Sequence, residues 1–273
     1  MSQSPDAAIN VPVDVRNPGQ FFACCGLLEL AARLINGVDA WFENGSFKMS
    51  TSLTLGLREL LCAAHQFELD TQEQGSPAME EDEGGSDVAI DFLAIARPIA
   101  LRLDWWSDKS LKTWAGSMNA RLIFLAMCRA ISTDSSDPLN QAQVIYDPQE
   151  TTSSAKHSLS AKKREPFYFD ARRGASALAI DVGFAPDALQ LTTTAYPAVE
   201  SLAMVGLQRC RPMPTDSKRV FEYYTWNVPL DASIAPAAVC GLLPYVGARG
   251  FRFQNAFRTD QRKHKAFTPA TPL

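Results

Sequence analysis

The sequence predicts an α+β fold: mixed or antiparallel sheets with packed helices, arranged in two lobes. Three observations predict it. Short period-two segments recur along the chain, longer apolar segments carry helix start and stop signals, and two polar stretches without apolar pattern interrupt them. The chain has 273 residues, 46% hydrophobic and 21% charged, which is ordinary globular usage and excludes a wholly disordered or collagen-like chain. The longest apolar runs, such as Phe21 to Leu28, fall well short of the roughly 20 residues that a bilayer span needs. Met1 to Ala8 is polar and small, so no secretory leader is expected.

The elements follow in order. Ile9, Val11, Val13 and Val15 alternate with Asn10, Pro12, Asp14 and Arg16, a strand that Pro12 assigns to a sheet edge. Asn17 then caps a helix, Pro18 suits its first position, and Gln20 completes a capping box. The helix ends near Ile35, at Asn36-Gly37, and is apolar almost all round, so it belongs inside the structure. Asp39 to Glu43 and Ser46 to Ser50 flank Asn44-Gly45, a hairpin with a type I′ turn. Leu53 to His65 reads as a helix, Val88 to Ile95 and Ile99 to Trp106 as strands, and Met118 to Ile131 as a helix. Further on, Phe167 to Asp170 and Ala177 to Val182 read as strands and Pro197 to Cys210 as a helix. Arg219 to Leu230 has aromatic β character, Ile234 to Leu243 a short helical pattern, and Gly250 to Phe253 alternates aromatic with basic residues.

Residues 1–133 are taken as an N-terminal lobe, 134–165 as a soft connecting segment and 166–273 as a basic C-terminal lobe. Between Gln72 and Asp87, six acidic residues with Gly, Ser and Pro predict a mobile loop. The halves echo each other weakly. Asn17-Pro18 and Tyr196-Pro197 each open a helix with an internal glycine, Gly26 and Gly206, followed by an aromatic β segment. Duplication of a β-α-β unit and chance both account for this.

Charge is uneven. The net charge is -4, yet residues 1–100 carry 5 basic and 15 acidic residues, and the remainder 21 basic and 15 acidic. A split of this kind points to a polyanionic partner for the basic part. The six cysteines (Cys24, Cys25, Cys62, Cys128, Cys210, Cys240) include no CxxC pair, and several lie in apolar helical stretches. They fit buried free thiols in a reducing cytoplasm. No phosphate-binding glycine loop, paired-cysteine or HExxH metal signature or GxSxG elbow is present, so no cofactor, metal or catalytic residue is assigned.

Three segments combine basic with aromatic residues. Lys162, Lys163 and Arg164 precede Phe167, Tyr168 and Phe169, and Arg172 and Arg173 follow. Arg209, Arg211, Lys218 and Arg219 surround a proline-containing loop. Arg249, Arg252, Arg258, Arg262, Lys263 and Lys265 interleave with Phe251, Phe253 and Phe257. Cationic groups neutralise phosphates, and rings or guanidinium planes stack on unpaired bases, so these fifteen residues form the expected nucleic-acid-binding set. The mechanism expected is a basic face built mainly from residues 156–265. Two alternatives stand beside it: metal-independent RNA cleavage with His157 or His264 as general base, and a scaffold that binds only protein.

The segment Asn17-Pro18-Gly19-Gln20-Phe21-Phe22-Ala23-Cys24-Cys25-Gly26-Leu27-Leu28-Glu29-Leu30 resembles a signature of small CRISPR-associated proteins from type I-U (I-G) effector operons. The run from Tyr196 to Pro212 is similar to the matching C-terminal segment, and Trp114-Ala115-Gly116 and Tyr224-Thr225-Trp226 fit the same pattern. The resemblance implies a large-subunit-like component of the RNA-guided surveillance complex (Cascade-like), active in antiviral defence. It implies guide RNA, target double-stranded DNA and the other effector subunits as partners. It also implies recognition of the motif flanking the target, holding of DNA and recruitment of a helicase–nuclease, in the cytoplasm and without a membrane partner. In such complexes base pairing reads sequence while protein reads shape and the short flanking motif. The matching motifs are helix-packing ones and carry no binding residue across.

Overall fold

Asn17 and Pro18 start the first helix where the sequence places it. The computed structural model describes residues 7–51, 55–70, 92–107, 109–115, 118–146, 163–173, 194–244, 246–258 and 264–273. The acidic stretch 72–87 and the expected strand at 177–182 lie outside the described residues.

Strand β1 (Ile9–Pro12) leads into helix α1 (Pro18–Leu34). A hairpin follows, β2 (Val38–Glu43) and β3 (Ser46–Thr51), turned by Asn44 and Gly45 at φ of 50° and 75°, as a type I′ turn requires. Next come helix α2 (Leu57–His65), strands β4 (Glu68–Leu69), β5 (Leu93–Arg97) and β6 (Leu101–Leu103), and helix α3 (Ala120–Arg129). Helix α4 (Pro197–Arg209) precedes strands β7 (Met213–Pro214), β8 (Val220–Thr225) and β9 (Leu230–Asp231). Helix α5 (Ala235–Val239) and strands β10 (Arg249–Phe257), β11 (Lys265–Phe267) and β12 (Thr271–Pro272) complete the order.

Every strand pair among the described residues is antiparallel, so the class is α+β with three antiparallel sheets. Their orders are β1-β3-β2-β9, β11-β10-β8-β7 with β12 beside β10, and β4-β5-β6. Among the described residues β1 pairs only with β3, the edge position that Pro12 requires.

The two lobes expected from sequence share one core. Strand β9, from the C-terminal half, extends the N-terminal sheet through Ala40↔Leu230. Trp226 donates its indole N–H to the carbonyl of Ala40 at 2.6 Å, and Phe42 N–H donates to the carbonyl of Trp226 at 2.8 Å. The Tyr223 hydroxyl reaches the carbonyl of Val15 at 2.6 Å. The Phe21 ring stacks on Tyr223 at 4.4 Å and on Phe42 at 5.2 Å, so α1 lies between two sheets.

At the centre α1 crosses α4. Pro18 to Ala31 and Pro197 to Leu207 are buried without interruption. A Cβ on Gly26 would overlap the carbonyl of Leu202, and one on Gly206 would overlap the carbonyl of Phe22. Each glycine thus faces the carbonyl four residues before the other, a reciprocal contact that only two glycines permit. β1 precedes α1, whereas among the described residues only an isolated bridge at Ala195 leads into α4.

Two sequence expectations are corrected. Gln20 does not close a capping box on Asn17. Its Oε1 accepts from Asp14 N–H at 2.8 Å instead, because Asn17 N–H is taken by the carbonyl of Asp14. Phe167 to Asp170 is not a strand. Tyr168 has a φ of 68°, outside the strand region, and all four side chains are buried.

Replacing Gly206 with Ala is expected to destabilise the fold by about 3 kcal/mol or more, because the new carbon meets backbone and the helices must part. Gly45→Ala, at a φ of 75° with open space around its Cβ, should lose only about 1–2 kcal/mol of backbone preference. Equilibrium urea unfolding measures both. A Gly206→Ala loss no larger than that of Gly45→Ala would show that the helices tolerate separation.

Candidate nucleic-acid interface

The N-terminal ends of α1 and α4 meet the segment Phe167–Arg173. Asn17 Oδ1 accepts from Gly19 N–H at 3.1 Å and from Ala171 N–H at 3.0 Å, and its amide donates to Asp170 Oδ1 at 2.9 Å. One N-cap therefore serves its own helix and a backbone N–H 154 residues further along the chain. Glu200, in the first turn of α4, accepts from Phe169 and Asp170 N–H, both at 3.2 Å. Glu200 and Asp170 are fully buried. Burial pushes the Glu200 carboxyl up to about 8, and neighbouring Asp170 adds to this while the backbone donors oppose it.

Arg172 belongs to this junction. It donates to Asp170 from Nε at 2.9 Å and Nη2 at 2.6 Å, to Asn140 Oδ1 at 2.7 Å and to the carbonyl of Leu139 at 2.7 Å, and it stacks on Tyr196 at 3.4 Å. These partners occupy most of its donors, so Arg172 braces the fold. Beside it lies a 250 Å³ cavity lined by Asp14, Arg16, Asn17, Ala171, Arg172, Pro269 and Ala270.

The C-terminal ends of the same helices carry a different arrangement. Glu29, 5% exposed, pairs with Arg33 at 2.6 Å and Arg209 at 3.5 Å. Asp104 pairs with Arg102 at 3.5 Å and Arg211 at 3.9 Å, and is fixed by two 3.0 Å hydrogen bonds with Gln208. Gln208 and Arg209 are adjacent on α4, so these pairs form one rim: four guanidinium groups around Glu29 and Asp104, with Asp231 close enough to feel the charge of Arg209. The arginine side chains remain 33–52% exposed. Helix C-termini favour cations, and α1 and α4 each place one arginine in the last turn.

A third cluster lies at the end of β10. The Arg258 guanidinium stacks on Tyr168 at 3.5 Å, and that of Arg219 on Phe257 at 4.4 Å. Lys265 Nζ donates to the carbonyl of Lys109 at 3.1 Å. Arg173 lies near enough to Arg258 to repel its charge.

The described members of the expected set are spread over several clusters. Arg172 and Arg209 sit at opposite ends of α4, which at about 1.5 Å per residue separates them by roughly 18 Å. Arg252 is held by Glu222 at 2.5 Å on a sheet. Lys163 and Arg164 lie beside the Tyr146↔Lys163 bridge, Lys218 is exposed between β7 and β8, and Arg249 is exposed at the start of β10. Lys162, Arg262, Lys263 and His157 lie outside the described residues. His264 contributes its backbone carbonyl, which accepts from Arg258 N–H at 2.9 Å. Cys24 and Cys25 are buried, and burial raises both thiols well above their ordinary value, which suits packing rather than nucleophilic attack. The rim residues Arg33 and Arg102 escape a reading by sequence because they lie close to, or within, the acidic half. Only the pairing of α1 with α4 brings them to Arg209 and Arg211.

Comparison with protein-family models, with curated proteins and with solved structures finds no match to this chain.

Glu200 makes stability depend on pH. The unfolded chain releases this proton near 4.5, while the folded chain keeps it to about 8. The folded state binds more protons in that window, so its contribution to stability is full below about 4.5 and is lost as pH rises to about 8. Thermal melts of the wild type and Glu200→Gln between pH 5 and 8 test this. The wild type is expected to lose stability relative to the variant with rising pH, by at most about 1.4 kcal/mol per unit. A constant difference across the range would show that Glu200 folds ionised.

Proposed function

We infer that the chain is a non-catalytic nucleic-acid-binding subunit of a type I CRISPR RNA-guided DNA surveillance complex. The observation that supports nucleic-acid binding is the rim at the C-terminal ends of α1 and α4, where Arg33, Arg102, Arg209 and Arg211 stand around Glu29 and Asp104. Four cations against Glu29, Asp104 and the nearby Asp231, whose carboxyl is lowered by Ser233 and also feels Arg209, leave a small local positive surplus. Glu29 fixes Arg33 by a 2.6 Å hydrogen bond, while Arg102, Arg209 and Arg211 stand at 3.5–3.9 Å from their carboxylates with edges exposed, so a phosphate strand meets guanidinium groups gathered in one place. The pairs of Asp104 with Arg102 and Arg211 are partly exposed and contribute little to stability, about 0–1 kcal/mol each, which leaves those arginines available for a ligand.

The assembly is supported by the resemblance of the α1 and α4 segments to the I-U (I-G) effector proteins. It carries the finer roles: reading the motif beside the target, holding duplex or displaced DNA next to the guide RNA, and presenting the target to the helicase–nuclease. Sequence selection is then left to base pairing, and the chain grips phosphates.

The test is the triple variant Arg102→Gln, Arg209→Gln and Arg211→Gln, which leaves Glu29 its Arg33 partner. Duplex binding of the wild type, alone and with its partner subunits, should weaken steeply with salt. The triple variant should lower the log–log salt slope by about 2–3, close to 0.9 for each phosphate that is no longer neutralised. An unchanged slope in a variant with an unchanged melting temperature would overturn the reading.

A further inference from the structure

The end of β10 gathers cations that have few acceptors among the described residues. The Arg258 side chain is 12% exposed, and its single ionic partner there is Glu165, at 3.9 Å and 54% exposed. That distance is too long for a hydrogen bond. Burial lowers the hold of Arg258 on its proton; Glu165 opposes this, and the charge of Arg173 adds to it, so the two guanidinium groups repel each other where water is scarce. The Nε–H groups of Arg173 and Arg258 and the hydroxyl of Tyr168 are buried with no hydrogen-bond partner among the described residues. A buried donor left without an acceptor loses its hydration with nothing in return.

The backbone bears a further cost at the same place. Tyr168, 4% exposed, is held at a φ of 68°, a strained conformation for a residue with a Cβ. Its carbonyl accepts from Phe267 N–H at 3.1 Å, which locks it to β11. The strained residue is the one whose ring orients Arg258. Core packing accounts for the buried ring. It does not account for the unmet donors of Tyr168, of the Arg258 stacked on it and of the neighbouring Arg173.

We propose that Arg173, Arg258 and Tyr168 form a binding site for one tetrahedral oxyanion of the phosphate class. Phosphate offers several acceptor oxygens and negative charge, which two guanidinium groups and a phenol can share. The ring of Tyr168 sets the plane of Arg258, and the bound anion takes over from the loose contact with Glu165. Backbone phosphodiester and free phosphate share this chemistry. The site has no residue in common with the Glu29–Asp104 rim, so either can fail without the other.

Titration of the full chain with inorganic phosphate, against sodium chloride at matched ionic strength, tests the site by calorimetry and by melting temperature. Phosphate is expected to bind and to raise the melting temperature where chloride does not. Arg173→Gln should weaken the apparent phosphate affinity at least tenfold, and Tyr168→Phe severalfold. Arg258→Lys, which keeps the charge but loses the planar fork, should weaken it in a chain that still folds. Arg58→Gln, at an exposed ion pair with Asp134, should leave it unchanged. A dinucleoside monophosphate bound through the same residues would uphold the site and assign it to backbone phosphate. Inorganic phosphate bound without it would uphold the site for free phosphate. Phosphate acting no better than chloride, or an Arg173→Gln variant binding as the wild type does, would overturn the proposal.

Discussion

The close approach of two backbones constrains everything else in this molecule. Where Gly26 and Gly206 meet, each helix touches the other's carbonyl oxygens, with no side chain between them. Helices normally lie about 8–10 Å apart, with the spacing set by the side chains at the contact. With hydrogen in place of a side chain on both partners, α1 and α4 become nearly one element. Their flanks are then close enough for sheets on either side to cover both, which is why two helices with weak amphipathic character can both be buried.

The ends of that crossing serve different purposes. At the N-terminal end the polar groups are inward and satisfied: Asn17, Asp170, Glu200 and Arg172 form a closed network that fixes the segment Phe167–Arg173. A buried network of this kind specifies one arrangement, because any slip leaves a polar group unpaired. At the C-terminal end the polar groups are outward and share counter-ions. The segment held at the inner end carries Tyr168 and Arg173 to β10, so the closed network also determines where those side chains stand.

Much of the fold was legible because local chemistry and tertiary structure agree. The Asn17-Pro18 start of α1, the Asn44-Gly45 hairpin and the aromatic strand β8 lie where residue patterns put them. Legibility failed where a residue's partner is distant in sequence. Gln20 sits at the right spacing for a capping box, but the backbone donor it would meet is taken by Asp14. Phe167 to Asp170 has the residues of a strand, yet two of its N–H groups go to Glu200 on another element. The basic clusters were read by proximity along the chain, which could show neither that Arg172 faces inward onto Asp170 nor that Arg33 and Arg102 join Arg209 and Arg211. Cys24, Cys25, Cys128 and Cys210 are buried as their apolar surroundings suggest, whereas Cys62 and Cys240 are only half-buried.

The helix crossing also sets an order in time. Gly26 and Gly206 are 180 residues apart, and synthesis at about 5–20 residues per second spaces their emergence by roughly 10–40 s. Helix α1 is thus made early and sealed late. In the interval the β1, β2 and β3 segments, nearby in sequence and able to pair within microseconds, are the first cover its apolar surface meets, before α2 joins them. The N-terminal sheet therefore does more than flank the finished core: it shelters the nascent helix until α4 and β8 arrive.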